Sequence, residues 1–124
     1  MSKNDFHIYI IEQSDDNRKF NRGKLLNIGF DCAQKEGCEI FIFHDVDLIP
    51  SPDLLAAYTT LPAVSGPVHI ARVWDRYSVN QAYFGGIVAF SAAQFRTING
   101  FPNNYWGWGG EDDEMKRRVD TVRH

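Results

Sequence analysis

The chain has 124 residues, a net charge of −3, 44% hydrophobic residues and 14% aromatic residues. This length suits one globular domain or the core of one, so we expect residues 1–124 to form a single domain. The weakly acidic balance provides no basic surface for a nucleic acid, and the sequence contains no run of 18 apolar residues that would span a membrane.

The first third of the sequence predicts a strand followed by a helix. Residues 6–11 are β-branched and aromatic, as is typical of a strand, and polar residues follow them. Asn21 is a favourable N-cap for a helix that runs to about Lys35. Cys32 and Cys38 lack the spacing of a zinc or redox site, so we expect two reduced thiols rather than a disulfide.

Two carboxylates follow the second predicted strand. Residues 39–43 are almost uniformly apolar, which favours a buried strand in a parallel α/β sheet, and Asp45 and Asp47 come directly after them. Ligands of open α/β sheets bind beyond the carboxyl ends of the strands. If the backbone stays extended, the two carboxylates lie roughly 6–7 Å apart on one side, which suits one that binds a divalent cation and another that holds a ribose hydroxyl or a metal-bound water. The alternative is a turn whose Asp caps the next helix.

The middle of the chain predicts further alternation of helices and strands. A Gly-Gly pair at 85–86 indicates a bulge or a close approach by a ligand. We expect helices over 52–60 and 91–98, and strands over 68–73 and 83–90.

The segment 103–114 combines two indoles, three glycines and four consecutive carboxylates. Glycines at 107, 109 and 110 leave the backbone mobile, and the faces of Trp106 and Trp108 suit stacking on sugars. This pattern predicts a flexible aromatic lid joined to an acidic site. The alternative is a helix with acids in its first turn and bases in its last, supported by i,i+4 ion pairs of about 0.2–0.5 kcal/mol each. Helix electrostatics accounts for the acids but not for the Trp-Gly pattern.

Four motifs, taken together and in order, resemble the β-1,4-galactosyltransferase family over about residues 6–118. They are FNRGKLLNIGF at 20–30, DVDLIP at 45–50, YFGG at 83–86 and NGFPNNYWGWGGEDD at 99–113. The resemblance implies a GT-A type, Rossmann-like fold with a mostly parallel sheet flanked by helices, in an incomplete or minimal version. It also implies Mn²⁺-dependent, inverting transfer of galactose from UDP-galactose to the 4-hydroxyl of an acceptor sugar. Relatives in animals work in the Golgi lumen, and a microbial member would be cytoplasmic.

The resemblance also implies roles for individual residues. Asp112 is similar to the catalytic base and Asp47 to a metal ligand, and His124 ends an Arg-His pair that resembles the end of the family's metal motif. That pair lies closer to Asp112 than the family spacing. Contacts to the donor nucleotide sugar are implied for Phe20, Arg22, Asp45, Gly86 and Trp108, and contacts to the acceptor saccharide for Tyr83, Tyr105 and Glu111.

Chemistry agrees with these roles. Inverting transfer needs a carboxylate that takes the proton of the attacking hydroxyl, and a cation that neutralises the departing diphosphate. Glu111 and Asp112 are adjacent and therefore do not flank a scissile bond as a glycosidase pair would. The alternative from another class is a non-catalytic nucleotide-sugar or carbohydrate-binding module of the same fold. A transferase that uses UDP-N-acetylgalactosamine or UDP-glucose is a third hypothesis.

Overall fold

The computed structural model describes residues 6–52, 58, 67–69 and 85–122. Three helices and three strands lie in this part of the chain: α1 (Arg22–Lys35), β1 (Ile40–His44), β2 (Val68–His69), β3 (Ile87–Ser91), α2 (Ala92–Thr97) and α3 (Glu111–Val122). The predicted helices over 21–35 and 91–98 and the predicted strand over 39–43 are therefore confirmed. The predicted helix over 52–60 lies mostly outside the described residues. Among those residues, no helix combines the length and apolar character needed to cross a membrane.

The described strands form an antiparallel sheet in the order β1-β3-β2, which differs from the predicted mostly parallel sheet. The register of β1 with β3 runs from Ile40 opposite Ser91 to His44 opposite Ile87. Hydrophobic patterning identifies strands but not the direction of their partners, and β1 takes its partner from far along the chain. The order of predicted strands and helices along the sequence therefore did not show that β1 and β3 pair in an antiparallel direction.

The predicted strand over 6–11 is also wrong, because this segment forms no strand within the described structure. Ile8 and Ile10 are exposed. Ile11 instead lies against α1, where a Cβ at Gly29 would be 3.0 Å from its Cγ1. The segment follows the helix rather than the sheet.

Side chains that alternate along β1 and β3 bury both faces of the sheet. Phe43 faces the helices, where its ring stacks on Phe95 at 4.8 Å between centroids and meets Phe101 edge-on at 5.5 Å. Met115 and Val119 bring α3 into the same core. Leu48 packs on the opposite face. The core on the helical face consists of Phe30, Ala33, Phe41, Phe43, Val88, Phe90, Phe95, Ile98, Phe101, Met115 and Val119.

Two asparagines fix the turn before the Trp-Gly segment to α1. The amide of Asn27 donates to the Phe101 carbonyl at 2.8 Å, and its oxygen accepts from the Phe101 N–H at 2.9 Å. Asn21 caps α1 by accepting from the Lys24 N–H at 3.0 Å and donates to the Asn103 carbonyl at 2.8 Å. The two side-chain amides satisfy backbone groups that water would otherwise bind. These hydrogen bonds hold the start of the Trp-Gly segment in a fixed position on α1.

The charge pattern of α3 is only partly as predicted. Its first turn is acidic, but the helix continues to Val122, so the bases lie in its middle rather than in its last turn. The sequence predicts i,i+4 pairs of Asp112 with Lys116, Asp113 with Arg117 and Glu114 with Arg118. Of these, the described structure contains the last, at 3.2 Å. Lys116 instead pairs with Asp120, and Asp112 turns toward α1. Both cysteines are free thiols, as expected.

Substitution of Gly100 tests the contact between α1 and the turn that precedes the Trp-Gly segment. Gly100 has φ +66°, and a Cβ there would lie 2.6 Å from the Asn27 Oδ1. Gly100→Ala therefore combines left-handed backbone strain of about 1–2 kcal/mol with a steric clash of about 1–3 kcal/mol. Gly37→Ala is the matched control, because Gly37 has φ +92° and open space around it. Urea unfolding should show a larger loss in the free energy of unfolding for Gly100→Ala than for Gly37→Ala. Equal losses would contradict the close contact between Gly100 and Asn27.

Candidate functional site

Arg22 holds three carboxylates from two other elements. Its Nε and Nη2 donate to the Asp45 Oδ1 at 2.9 and 2.7 Å, and its Nη1 donates to the Asp112 Oδ1 at 2.8 Å. The Glu111 Oε1 lies 3.7 Å from Nη1. The local sequence explains the convergence, since α1 begins at Arg22, β1 ends just before Asp45 and α3 begins at Glu111. We call these four residues the acid cluster.

Burial and the neighbouring charges together shift the pKa values of Arg22 and Asp112 in the acid cluster. Only 17% of the side-chain surface of Arg22 and of Asp112 is exposed. Burial by itself would lower the pKa of Arg22, but the Asp112 and Asp45 carboxylates outweigh it and raise that pKa. Burial raises the pKa of Asp112 from its usual 3.8 to about 6; Arg22 opposes this rise, and the Glu111 and Asp45 charges add to it. Asp112 is thus a carboxyl group that titrates close to neutral pH.

The Trp-Gly segment is attached to the chain just before α1. The Gly107 N–H donates to the Phe20 carbonyl at 2.7 Å. The Tyr105 ring occupies the space beside Gly110, where a Cβ would be 2.6 Å from two ring carbons. Trp108 is fully exposed and the glycines at 107, 109 and 110 all have positive φ. The segment is therefore fixed at its beginning, while the second indole projects into solvent.

Gly86 and Phe20 are the other described residues of the predicted donor site. Gly86 is buried, with φ +77°, and its carbonyl accepts from the Asp45 N–H at 2.8 Å, so it fixes the backbone of the acid cluster. Phe20, two residues before Arg22, is 55% exposed. The predicted site residues Tyr83 and His124 lie outside the described residues.

The expected extended pair of Asp45 and Asp47 is a turn instead. The Leu48 N–H donates to the Asp45 carbonyl at 3.3 Å, and Asp47 is exposed while Asp45 faces Arg22. Burial of Leu48 against the sheet explains the turn, because an extended chain would carry Leu48 away from that face. Within the described residues no group of three His, Cys, Asp or Glu side chains is arranged to hold a metal ion. Asp47 supplies one open carboxylate there, so these residues do not complete a Mn²⁺ site.

The sequence did not predict the hydrogen bonds that link Tyr58, His44 and the Asp45 carbonyl at this turn. The His44 Nε2 lies 2.6 Å from the Tyr58 hydroxyl, and its Nδ1 lies 2.7 Å from the Asp45 carbonyl. Since a carbonyl only accepts, Nδ1 carries the proton and Nε2 of a neutral ring accepts from Tyr58. His69 similarly bonds the Gly85 carbonyl at 2.8 Å. The only available signal was the position of His44 directly before an Asp.

Two family profiles match the chain in succession. Residues 2–60 match the profile described as the N-terminal region of glycosyl transferase group 7, and residues 66–123 match one described as the N-terminal domain of galactosyltransferase. Human β-1,4-galactosyltransferase 4 is 44% identical over 123 residues, covering 96% of this chain and 34% of that protein. Bovine β-1,4-galactosyltransferase 1 is 47% identical over 119 residues, covering 93% of this chain and 28% of that protein.

Solved structures agree with these matches. A mutant of Drosophila β-1,4-galactosyltransferase 7 in complex with manganese, UDP-Gal and xylobiose is 37% identical, with a TM-score of 0.76, covering 86% of this chain and 44% of that one. The catalytic domain of the same Drosophila protein with xylobiose also gives a TM-score of 0.76, at 38% identity. The structure therefore matches part of a glycosyltransferase catalytic domain of the GT-A type.

Within that class, the chain belongs to the β-1,4-galactosyltransferase family, glycosyltransferase group 7. It spans about a third of the length of the curated relatives it matches.

The raised pKa of Asp112 predicts a pH-dependent stability. Because the folded pKa, about 6, exceeds the ordinary 3.8, the folded protein binds more protons between these values. The contribution of Asp112 to stability is complete at low pH and is lost as the pH rises through about 6. One pKa unit is worth about 1.4 kcal/mol, so wild type should lose up to about 3 kcal/mol relative to Asp112→Asn between about pH 4 and pH 8.

Urea unfolding of both proteins at several pH values measures this difference. Asp113→Asn, which removes an exposed acid from the same helical turn, is the control for general charge effects. A wild-type minus Asp112→Asn difference that stays constant with pH would show that Asp112 titrates normally.

Proposed function

We propose that this chain transfers galactose from UDP-galactose to the 4-hydroxyl of an acceptor sugar, with inversion at the anomeric carbon and Asp112 as the base. The observation that carries this proposal is the acid cluster, in which Arg22 joins a donor-side residue, Asp45, to the proposed base in a chain of this family. The manganese, UDP-Gal and xylobiose in the Drosophila relative support the assignment of donor, cation and saccharide acceptor.

The proposed reaction is a direct displacement. The acceptor 4-oxygen forms a bond to C1 of galactose as the bond from C1 to the UDP oxygen breaks, and UDP leaves with that electron pair. The hydroxyl proton passes to Asp112. Arg22 engages the Oδ1 of Asp112, and no described residue donates a hydrogen bond to its Oδ2. The second carboxylate oxygen is thus available for the proton.

The environment of Asp112 suits a general base. A base works best when its pKa lies near the working pH, because it is then ionised and still accepts a proton readily. Burial supplies the rise to about 6. Arg22 limits that rise and holds one orientation of the carboxylate, since a guanidinium binds with fixed planar geometry.

The remaining roles follow the family motifs. We assign Phe20, Arg22, Asp45, Gly86 and Trp108 to the donor, and Tyr83, Tyr105 and Glu111 to the acceptor. Asp47 and His124 are assigned to the cation. Bound Mn²⁺ would neutralise charge on the diphosphate. Because Asp47 is an exposed carboxylate in the turn after β1, we propose the Mn²⁺ requirement from that residue and from the relative's manganese.

A second candidate function is a non-catalytic module that binds the nucleotide sugar or a carbohydrate. The incomplete metal set among the described residues favours it over an enzyme with another donor sugar.

Replacement of Asp112 separates the two candidates. Asp112→Asn should lower transfer to a saccharide acceptor by roughly 10²–10⁴-fold, the usual contribution of a general base, while UDP affinity changes little. Radiolabelled transfer assays and calorimetry with UDP measure the two effects, with Asp113→Asn as the control. Turnover that is unchanged in Asp112→Asn removes the proposed base. Binding of UDP by a wild type that shows no turnover with any UDP-sugar supports the module.

Replacement of Asp47 tests the cation. Asp47→Ala should weaken UDP binding in the presence of Mn²⁺ by about 10-fold or more and leave metal-free UDP binding unchanged, because one charged ligand is lost. Asp31→Ala, on the exposed surface of α1, is the control. If both variants respond equally to Mn²⁺, Asp47 is not a ligand.

A further inference from the structure

The side chain of His44 joins the end of β1 to Tyr58. Side chains two positions apart along a strand share a face, so His44 lies on the face of Ile42, opposite to that of Phe43. Tyr58 packs on the same face, against the apolar cluster that contains Leu48. The two rings meet edge-on with 5.8 Å between centroids, and the Tyr58 hydroxyl lies 2.6 Å from the His44 Nε2. Packing and a hydrogen bond therefore hold the imidazole in one orientation.

This orientation directs the other ring nitrogen at the Asp45 backbone. The Nδ1 of His44 donates to the Asp45 carbonyl at 2.7 Å. Burial raises the pKa of Tyr58, so its hydroxyl keeps the proton that it donates to Nε2. With both ring nitrogens in hydrogen bonds to the protein, the imidazole is a donor to the backbone rather than a metal ligand. His44 therefore acts on the site through Asp45.

The bond from His44 is the shorter of two bonds at the Asp45 carbonyl. The Leu48 N–H also donates to this carbonyl, but at 3.3 Å, which is long for an N–H···O bond. The N–H of Asp45 itself donates to the Gly86 carbonyl at 2.8 Å. Because peptide groups are planar, fixing the peptide on each side of a residue also fixes the direction of its Cβ. His44 and Gly86 together therefore direct the Asp45 side chain.

The Asp45 side chain in turn orients Arg22. Its Oδ1 accepts from Nε and Nη2 of Arg22, at 2.9 and 2.7 Å. Two bonds from one planar guanidinium to one oxygen restrict that oxygen to a narrow range of positions. Asp45 and Arg22 are both proposed donor contacts, so a change in the Asp45 backbone reaches two such contacts at once.

We propose that His44 and Tyr58 are positioning residues of the donor site, which fix the Asp45 carbonyl so that the Asp45 carboxylate faces Arg22. This inference rests on the proposed function, from which Asp45 and Arg22 take their donor role. Without the bond from His44, the Asp45 peptide is free to rotate, and the donor nucleotide loses two oriented contacts. The alternative is that the pair stabilises the sheet and has no effect on the site.

Removal of the two hydrogen-bonding groups tests the positioning role through UDP affinity, measured by calorimetry at constant MnCl2. Tyr58→Phe keeps the packed ring and should weaken UDP binding roughly 2- to 10-fold, the usual value of one hydrogen bond. His44→Leu also removes the donor to the Asp45 carbonyl and should weaken binding by roughly 5- to 50-fold. The double variant H44L/Y58F should match His44→Leu, because Tyr58 acts through the imidazole. Additive losses would overturn this order of action.

Two further variants separate positioning from general stabilisation. His44→Asn keeps an N–H close to the position of Nδ1, so it should bind UDP more tightly than His44→Leu. Equal losses in these two variants would show that the N–H is not what matters and would overturn the proposal. Tyr9→Phe is the matched control and should keep wild-type affinity, because the Tyr9 hydroxyl bonds Glu36 at the far end of α1 from Arg22.

Amide hydrogen exchange shows where the variants act, without donor or turnover. Tyr58→Phe should speed exchange of the Asp45 and Leu48 N–H groups by local opening of the turn, while the amides of β3 exchange as in wild type. Exchange at the turn that is unchanged in both Tyr58→Phe and His44→Leu overturns the proposal. Faster exchange with unchanged UDP affinity also overturns it, since the pair would then have a purely structural role.

Failure of this inference is distinguishable from failure of the proposed function. A wild type that binds UDP and transfers galactose, with Tyr58→Phe and His44→Leu unaffected, leaves the proposed function standing and removes the positioning role. A wild type that does not bind UDP contradicts the proposed function, and the donor role of Asp45 falls with it.

Discussion

The guanidinium of Arg22 compensates two close carboxylates, with a third nearby, in a largely buried position, and the arrangement of the site depends on it. A buried carboxylate without a partner is strongly unfavourable, so this cation stabilises the approach of the end of β1 and the start of α3 to the start of α1. One positive charge does not neutralise three negative ones. Burial raises the pKa of Asp112 toward neutral, the Glu111 and Asp45 charges add to this rise and Arg22 opposes it, so the same contacts also set the proton affinity of the proposed base.

Helix α1 provides the frame that keeps this charge network in register. Asn21 begins the helix and at the same time holds the Asn103 carbonyl, and Asn27 pairs with both backbone groups of Phe101. One rigid helix therefore positions Arg22 and the start of the Trp-Gly segment together. The Gly107 N–H adds a third point of attachment at the Phe20 carbonyl. Only beyond this point do consecutive positive-φ glycines release the chain and expose Trp108.

Local sequence signals predicted the elements well and their assembly less well. Caps at Asn21 and Ser91 are short-range hydrogen bonds, and both helices begin where the sequence indicated. The strand at 39–43 was equally clear from its apolar run. The antiparallel pairing of β1 with β3 joins residues about 50 positions apart and leaves no trace in local periodicity. The segment 6–11 has strand composition but packs along α1, because tertiary contacts override β-propensity.

For the candidate site too, the sequence indicated the residues better than their arrangement. Motif resemblance selected Arg22, Asp45, Glu111 and Asp112, and the structure brings these four together, but their roles remain proposals. At Asp45 the sequence favoured an extended pair and left a turn as the alternative, because burial of Leu48 against the sheet is a tertiary contact that local sequence does not show.

The network around Asp45 also links the two substrates proposed for the site. Asp45 is bound from three sides: by Arg22 at its carboxylate, by Gly86 at its N–H and by His44 at its carbonyl. A residue so constrained moves only with its neighbours. Because the guanidinium that holds Asp45 also holds Asp112, any ligand that displaces Arg22 from Asp45 changes the charge facing the base. Occupation of the donor side and basicity on the acceptor side are thus coupled through a single side chain.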